Sequence, residues 1–392
     1  VTTSALSHPV DSRVPKRLHS LDGLRGVAAL VVLFHHSLLT VPTLAAAYFP
    51  GAEKASPGSW EWFLTYTPLH VLWMGSEAVD LFFILSGIVL VLPVLRSRRH
   101  SWAAYYPRRL IRLYGPVWIA VLFGIATILL VPRYDVPAFG PWMESLPNAY
   151  SLRGLFKDTT LVFGISGRIS PLWSLRWEIV FSLLLPLYVW FAARAPGSVW
   201  LKFAGVFGLI ALASIISSDE LRFLPVFAIG ALIVIGWGRF ADLAAWAAGR
   251  TWFWPLVFAV GVILAAVRWE LGAVGVPAFP AWRTSVVSVL GVSLIVLSAA
   301  FWGGFRRLLE ARVVQWLGTV SFSLYLIHEP IIMTVRTLLV DASPWLGIAI
   351  SIPVSLALAH VFAHQVEMRF HHLARFVGGR VDAAMESRTS RR

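Results

Sequence analysis

Ten stretches of this chain are apolar over a length that crosses a bilayer, and that property excludes most folds. They fall at approximately 24–41, 77–95, 113–131, 172–192, 201–217, 221–237, 252–269, 284–302, 314–338 and 345–366. A helix rises about 1.5 Å per residue, so about 20 apolar residues cover a hydrocarbon core of about 30 Å. In lipid the backbone must bond within its own segment, which makes each run a helix. Composition agrees: mean hydropathy is +0.73, 58% of residues are apolar and 14% are charged, where a soluble domain carries about 25% charged residues. The expected fold is all-α, a polytopic transmembrane helical bundle of about ten spans embedded in a lipid bilayer. The closest division separates spans five and six, where only Ser218-Asp219-Glu220 makes the turn.

Basic residues give the orientation. With the N-terminus in the cytoplasm, inside segments hold 23 Lys and Arg and outside segments hold 8, while Arg176 and Arg336 lie within spans. That asymmetry follows the positive-inside rule and places both termini in the cytoplasm. The expected divisions are a cytoplasmic segment over 1–23, a transmembrane domain over 24–366 and a basic cytoplasmic tail over 367–392. The net charge of +13 sits mostly in short loops, so it reads as topology rather than a nucleic-acid surface. The first run resembles a signal peptide, with Arg13, Lys16 and Arg17 ahead of it and Ala45-Ala46-Ala47 behind. It is longer than a usual signal core of about 7–15 residues, and is read as a retained helix.

The chain has no cysteine. Disulfides, thiolate metal sites and a cysteine nucleophile are therefore excluded, and no metal site is expected. The excess of arginine over lysine fits GC-rich bacterial coding. The expected location is the bacterial cytoplasmic membrane. The two longest loops, Pro42–Ser76 and Pro132–Pro171, are rich in Trp, Pro and Gly. They read either as an aromatic belt at the interface or as a lid or acceptor platform on the outer face.

Ionisable groups inside a span are costly and are by default functional. Arg25 and His36 lie eleven residues apart on the first span, so the histidine sits roughly 16–17 Å deeper than the cation. The surrounding LDGLRGVAALVVLFHHS resembles the opening of the acyltransferase-3 family of integral membrane O-acyltransferases, whose hallmark is Arg or Lys, ten residues, then His. Four further stretches match the family in order: DLFFILSG at 80–87 with Asp80 and Ser86, PRRLIRLYGP with Arg108, Arg109 and Arg112, PLWSLRWEI with Trp173, Ser174 and Glu178, and SLYLIHEP with Tyr325 and His328. Glu329 departs from the pattern, which has an apolar residue after the histidine. The chain reads as a stand-alone member without the hydrolase-like extra domain of some relatives.

Depth provides a second argument. Measured from the cytoplasmic side at about 1.5 Å per residue, His36 falls near ~18 Å, Glu178 and His328 near ~21 Å, and Ser86 near ~16 Å. Residues from four spans thus share a layer slightly beyond the midplane. His360, His364 and Glu367 fall at the cytoplasmic interface.

The resemblance implies transfer of an acyl group from acyl-CoA, first of all acetyl-CoA, to a hydroxyl of a sugar, envelope glycan or glycosylated small molecule. Acyl-CoA is a co-substrate, and no tightly bound cofactor is expected. Arg25, Arg108, Arg109 and Arg112 belong at the cytoplasmic surface, where guanidinium forks suit the donor's phosphates. Topology anchoring is the competing reading of these arginines, and it is the one given to Arg98 and Arg99. His36, polarised by Glu178, would be the general base, with Arg25 also counted in the catalytic set. Asp80, Ser86, Ser174, Tyr325 and His328 are candidates for oxyanion or acceptor contacts. A proton-coupled transporter or flippase is the alternative, since intramembrane His and Glu suit a carrier as well. A structural or sensory membrane protein is weaker, because it leaves the Arg-to-His pairing unexplained. Oligomeric state stays open.

Overall fold

The computed structural model describes residues 11–15, 17–49, 51–97, 100–134, 136, 139–274 and 281–389. Lys16, Arg98, Arg99, Arg391 and Arg392, all counted toward the orientation, lie outside the described residues. Every regular element among those described is helical, so the fold is all-α. The helices are α1 (His19–Leu38), α2 (Pro42–Ala45), α3 (Trp60–Tyr66), α4 (Gly75–Arg96), α5 (Trp102–Leu130), α6 (Gly140–Ser145), α7 (Leu152–Thr160), α8 (Leu172–Leu183) and α9 (Leu185–Ala193). They continue as α10 (Val199–Ile216), α11 (Asp219–Ile235), α12 (Trp237–Ala247), α13 (Phe253–Ala273), α14 (Ala281–Phe301), α15 (Gly303–Leu309), α16 (Arg312–Leu338), α17 (Pro344–Phe362) and α18 (Met368–Thr389).

Seven of these helices are long and apolar enough to cross a membrane, or up to nine if two broken pairs each count as one span. The broken pairs are α8 with α9 and α11 with α12. The ninth expected run, 314–338, is a single 27-residue helix, α16. His328, Glu329 and Arg336 dilute its hydropathy, and it is not among the seven.

Serine side chains set several helix starts. Ser101, Ser151, Ser198 and Ser218 each accept a backbone N–H at the head of α5, α7, α10 and α11, which satisfies one of the donors a helix leaves open. Ser218 does this for the turn expected at Ser218-Asp219-Glu220. Span four breaks at Leu184 because Pro186 has no N–H to return to the Ser182 carbonyl. The Ser182 and Leu183 carbonyls accept the hydroxyls of Tyr105 and Tyr106 instead, at 3.1 and 3.2 Å. Span six ends at Gly236, where α12 turns away by 67°.

The chain folds as two compact units. The first comprises Val1–His35, Ala55–Arg98 and Leu184–Thr319. Here Gly87 on α4 and Gly230 on α11 let two helices touch: a Cβ on Gly87 would meet the Phe227 carbonyl, and one on Gly230 the Ile84 carbonyl. Small residues at such crossings are how membrane helices pack closely. Gly23 and Gly26 perform the same service for α1, lying against the Leu309 carbonyl and Gly318. They hold Arg25 within a tightly packed stretch.

The second unit comprises His36–Lys54, Arg99–Leu183 and Val320–Arg392. The expected loop before span three is helical, since α5 already begins at Trp102; Arg108, Arg109 and Arg112 therefore ride on its first three turns. The expected tail is not a loose appendage either. A π-helical turn over Ala363–Glu367 leads into α18, which packs on α5 with Phe370 over Gly115 and Gly378 over the Arg108 side chain. Arg108 pairs with Asp382 at 2.5 Å. Glu367, expected at the interface, is buried and accepts the Ser323 hydroxyl at 2.6 Å.

The α4–α11 crossing gives a test. Gly87→Val should lower thermal stability by at least the ~1–3 kcal/mol typical of overpacking, read as a fall in Tm in nanodiscs. Gly205→Ala, where nothing lies near the added carbon, should leave Tm unchanged or slightly higher.

Candidate active site

His36 sits in the last turn of α1, with its side chain 12% exposed. Three elements of the second unit surround its ring. From α16 come His328 and Glu329, both buried. From the segment entering α8 comes Ser170, and from α6 comes Trp142, whose ring centre lies 5.6 Å from that of His36.

The hydrogen bonds assign the protons. His328 Nδ1 lies 2.9 Å from the Leu324 carbonyl, and His328 Nε2 lies 2.9 Å from His36 Nδ1. A carbonyl only accepts, so His328 Nδ1 carries its hydrogen. In the neutral ring His328 Nε2 is then the acceptor, and His36 Nδ1 must donate to it. This leaves the lone pair of neutral His36 on Nε2. That atom is 3.4 Å from Ser170 Oγ and 3.7 Å from Glu329 Oε2. Ser170 in turn donates to Glu329 twice, from its backbone N–H to Oε1 at 2.9 Å and from its hydroxyl to Oε2. Glu329 thus stands behind the nitrogen of His36 that would take a proton. The chemistry available is that of an oriented base with a counter-charge behind it.

The carboxylate beside His36 is thus Glu329, and the expected pairing of His36 with Glu178 is corrected. Glu178 pairs with Arg109 Nη2 at 2.5 Å, while Arg109 Nε donates to Ser182 Oγ at 2.9 Å. Depth did not find the neighbour: Ser170 meets His36, and Glu178 lies roughly two helical turns further along the chain. Its ion pair with Arg109, a residue expected at the cytoplasmic surface, shows that the depths read for these two partners do not both hold. Arg109 correspondingly spends its fork on Glu178 and Ser182. Arg108 is held by Asp382, and Arg112 is exposed, so the three arginines expected to act together have separate surroundings.

Ser174 and Tyr325 are brought together, their hydroxyl oxygens 2.6 Å apart. Both also lie near the Pro171 carbonyl, at 3.1 and 3.0 Å. These contacts fasten the start of α8 to α16 and occupy the hydroxyls read as oxyanion donors. Arg25, Asp80 and Ser86 belong to the first unit. Asp80 is buried there beside Glu77, within reach of the Arg222 charge. In the same unit His35 is buried, with Nδ1 2.9 Å from the Trp73 carbonyl.

Glu329, Ser170 and Trp142 are the site residues that sequence reasoning missed. Glu329 had a signal, a second ionisable group beside His328 in an apolar run. Ser170 and Trp142 lie in the loop read as belt or platform, and no spacing pointed to them. The loop is anchored locally: the Asp158 carboxylate accepts the Ser166 N–H at 2.6 Å and its hydroxyl at 2.5 Å. Burial pushes the Asp158 carboxyl upward, against those two bonds.

Fold and site define a multi-pass membrane protein with a buried, hydrogen-bonded histidine pair backed by a carboxylate. The chain belongs to the acyltransferase-3 family, whose profile, described as an acyltransferase domain, matches residues 18–364. It is 25% identical over 331 residues to Acyltransferase MdmB of Streptomyces mycarofaciens, covering 81% of this chain and 79% of that one. No solved structure matches it. Family and relative together make the chain a membrane acyltransferase.

The Arg109–Glu178 pair can be tested by a double-mutant cycle. Arg109→Gln and Glu178→Gln should each lower Tm, and the double variant should lose less than the sum by ~0.5–3 kcal/mol. Additive losses would show that the two side chains act independently.

Proposed function

We propose that this chain transfers an acyl group from acyl-CoA, with acetyl-CoA the first candidate, to a hydroxyl of a sugar-containing acceptor. His36 acts as general base in the bacterial cytoplasmic membrane. The single observation that supports this best is the ordered relay from the Leu324 carbonyl through His328 to His36, which places the lone pair of neutral His36 on Nε2. His36 Nε2 takes the acceptor's proton as its oxygen attacks the thioester carbon. The carbon–sulfur bond then breaks, and the proton passes to the departing thiolate. Glu329 stabilises the imidazolium between these steps, the part first given to Glu178. His328 fixes the ring and its tautomer, as the orienting member of such a set does.

Within the second unit the exposed Arg112 is the arginine proposed to meet the donor's phosphates. Arg109, committed to Glu178, is proposed to support the fold of the site rather than bind donor directly. The acylated product is a neutral ester, so the enzyme changes the polarity of its acceptor without changing its charge. The MdmB relative, called an acyltransferase, is consistent with this chemistry.

The test is transfer from radiolabelled acetyl-CoA to candidate acceptors by purified protein. His36→Ala should fold and lose transfer by a factor on the order of 10²–10⁴, and Glu329→Gln should lose less. His35→Ala should lower Tm, since it removes a buried hydrogen-bonded ring, while keeping most of the transfer per mole of folded protein. Comparable product from His36→Ala and wild type would end this reading. Solute flux in vesicles with no acylated product would favour the transporter instead.

A further inference from the structure

We infer that Arg133 and Arg168 form an anion-binding subsite that takes a phosphoryl group of a substrate handled at His36. The link to His36 rests on the proposed function; the binding of phosphate does not.

Arg133 lies three residues beyond the end of α5 and is only 9% exposed. Its Nη1 and Nη2 are buried and have no hydrogen-bond partner among the described residues, and the same is true of Nε and Nη1 of Arg168. An exposed arginine at a membrane surface would simply meet water. A buried guanidinium with unspent donors costs free energy unless something supplies acceptors. Arg133 and Arg168 are close enough for their charges to oppose each other, and burial lowers the proton affinity of both. Each guanidinium thus keeps unspent donors, and the Arg168 charge is felt at Arg133.

Among the described residues the nearby carboxylates do not close the site. Glu329 acts on Arg133 through its charge, but its oxygens receive Ser170. Asp158 acts on Arg168, but its oxygens receive Ser166. On one flank the Tyr150 ring lies 5.5 Å from the Arg168 guanidinium carbon, which holds that side chain by a cation–π contact. Arg168 is partly exposed and leaves the subsite a way in.

The donor set selects the ligand. One guanidinium fork satisfies both oxygens of a carboxylate, so a carboxylate would leave the second arginine idle. A phosphoryl group has three terminal oxygens and close to two negative charges, which fits two forks and two positive charges. Glu329 couples the subsite to the reaction centre, since it faces His36 at 3.7 Å and its charge reaches Arg133. The phosphate belongs either to the acceptor or to the coenzyme A of the donor.

Both questions can be settled with the full-length protein in lipid nanodiscs. Inorganic phosphate should raise the Tm of the wild type above that in chloride at equal ionic strength, a control that removes general screening. Radiolabelled phosphate should bind, and Arg133→Gln or Arg168→Gln should weaken it tenfold or more. Arg133→Lys should recover part of the binding, since it keeps the charge and loses the fork. His36→Ala should bind phosphate as the wild type does, so loss of transfer and loss of the subsite are read separately. Displacement of label by glucose 1-phosphate assigns the subsite to the acceptor, and displacement by coenzyme A assigns it to the donor. Displacement by neither removes the substrate role. Absence of a phosphate-specific shift in the wild type, or binding undiminished in both Gln variants, overturns the proposal outright. If Arg133→Gln fails to fold, the wild-type titration and Arg168→Gln still decide.

Discussion

A polar group carried into the bilayer must find its partner within the chain, and much of this structure follows from that requirement. Lipid offers no hydrogen bonds, so each break in a helix and each buried side chain creates a demand. Where the helix breaks at Pro186, the adjacent hydroxyls of Tyr105 and Tyr106 meet the Ser182 and Leu183 carbonyls at the end of α8. Glu178 is matched by Arg109, Ser174 by Tyr325, and Glu367 by Ser323. Each of these pairs joins two helices, so satisfying polar groups also fixes how helices of the second unit register on one another.

At the histidine pair the same requirement fixes the positions of protons. The Leu324 carbonyl already serves the backbone of α16, yet it also fixes a proton on His328. That proton determines which nitrogen of His36 carries hydrogen and which carries the lone pair. Ser170 supports Glu329 from the other side with a backbone and a side-chain donor. A histidine alone in an apolar span would gain little as a base. Held between a fixed donor–acceptor chain and a carboxylate, it is oriented and its charged form has a counter-charge.

The all-α membrane fold was legible in the sequence because bilayer thickness sets a length that apolar runs either reach or do not. His36 and His328 could be singled out for a related reason: an ionisable residue inside such a run stands out, and the structure brings the two rings together. Less legible was who faces whom. Depth along a helix is one coordinate, and it put Glu178 and His36 in one layer although Glu178 bonds to Arg109. Direction around the helix and tilt supply the others, and both depend on neighbours that local spacing does not encode. Ser170 and Trp142 were hidden more completely, because loop residues have no period from which to read a face. Glu329 was visible but discounted, being measured against the family pattern rather than against the cost of burying a carboxylate.

The helix α18 lies beyond the end of the family match at residue 364, yet it covers Gly115 and clasps Arg108 on α5. One turn from Arg108 along the same helix is Arg112, and adjacent to it is Arg109, which holds Glu178. A helix outside the matched domain therefore braces the helix that carries Arg108, Arg109 and Arg112. Such an arrangement lets α18 set the stiffness of α5 from beyond the matched domain, without touching the surroundings of His36.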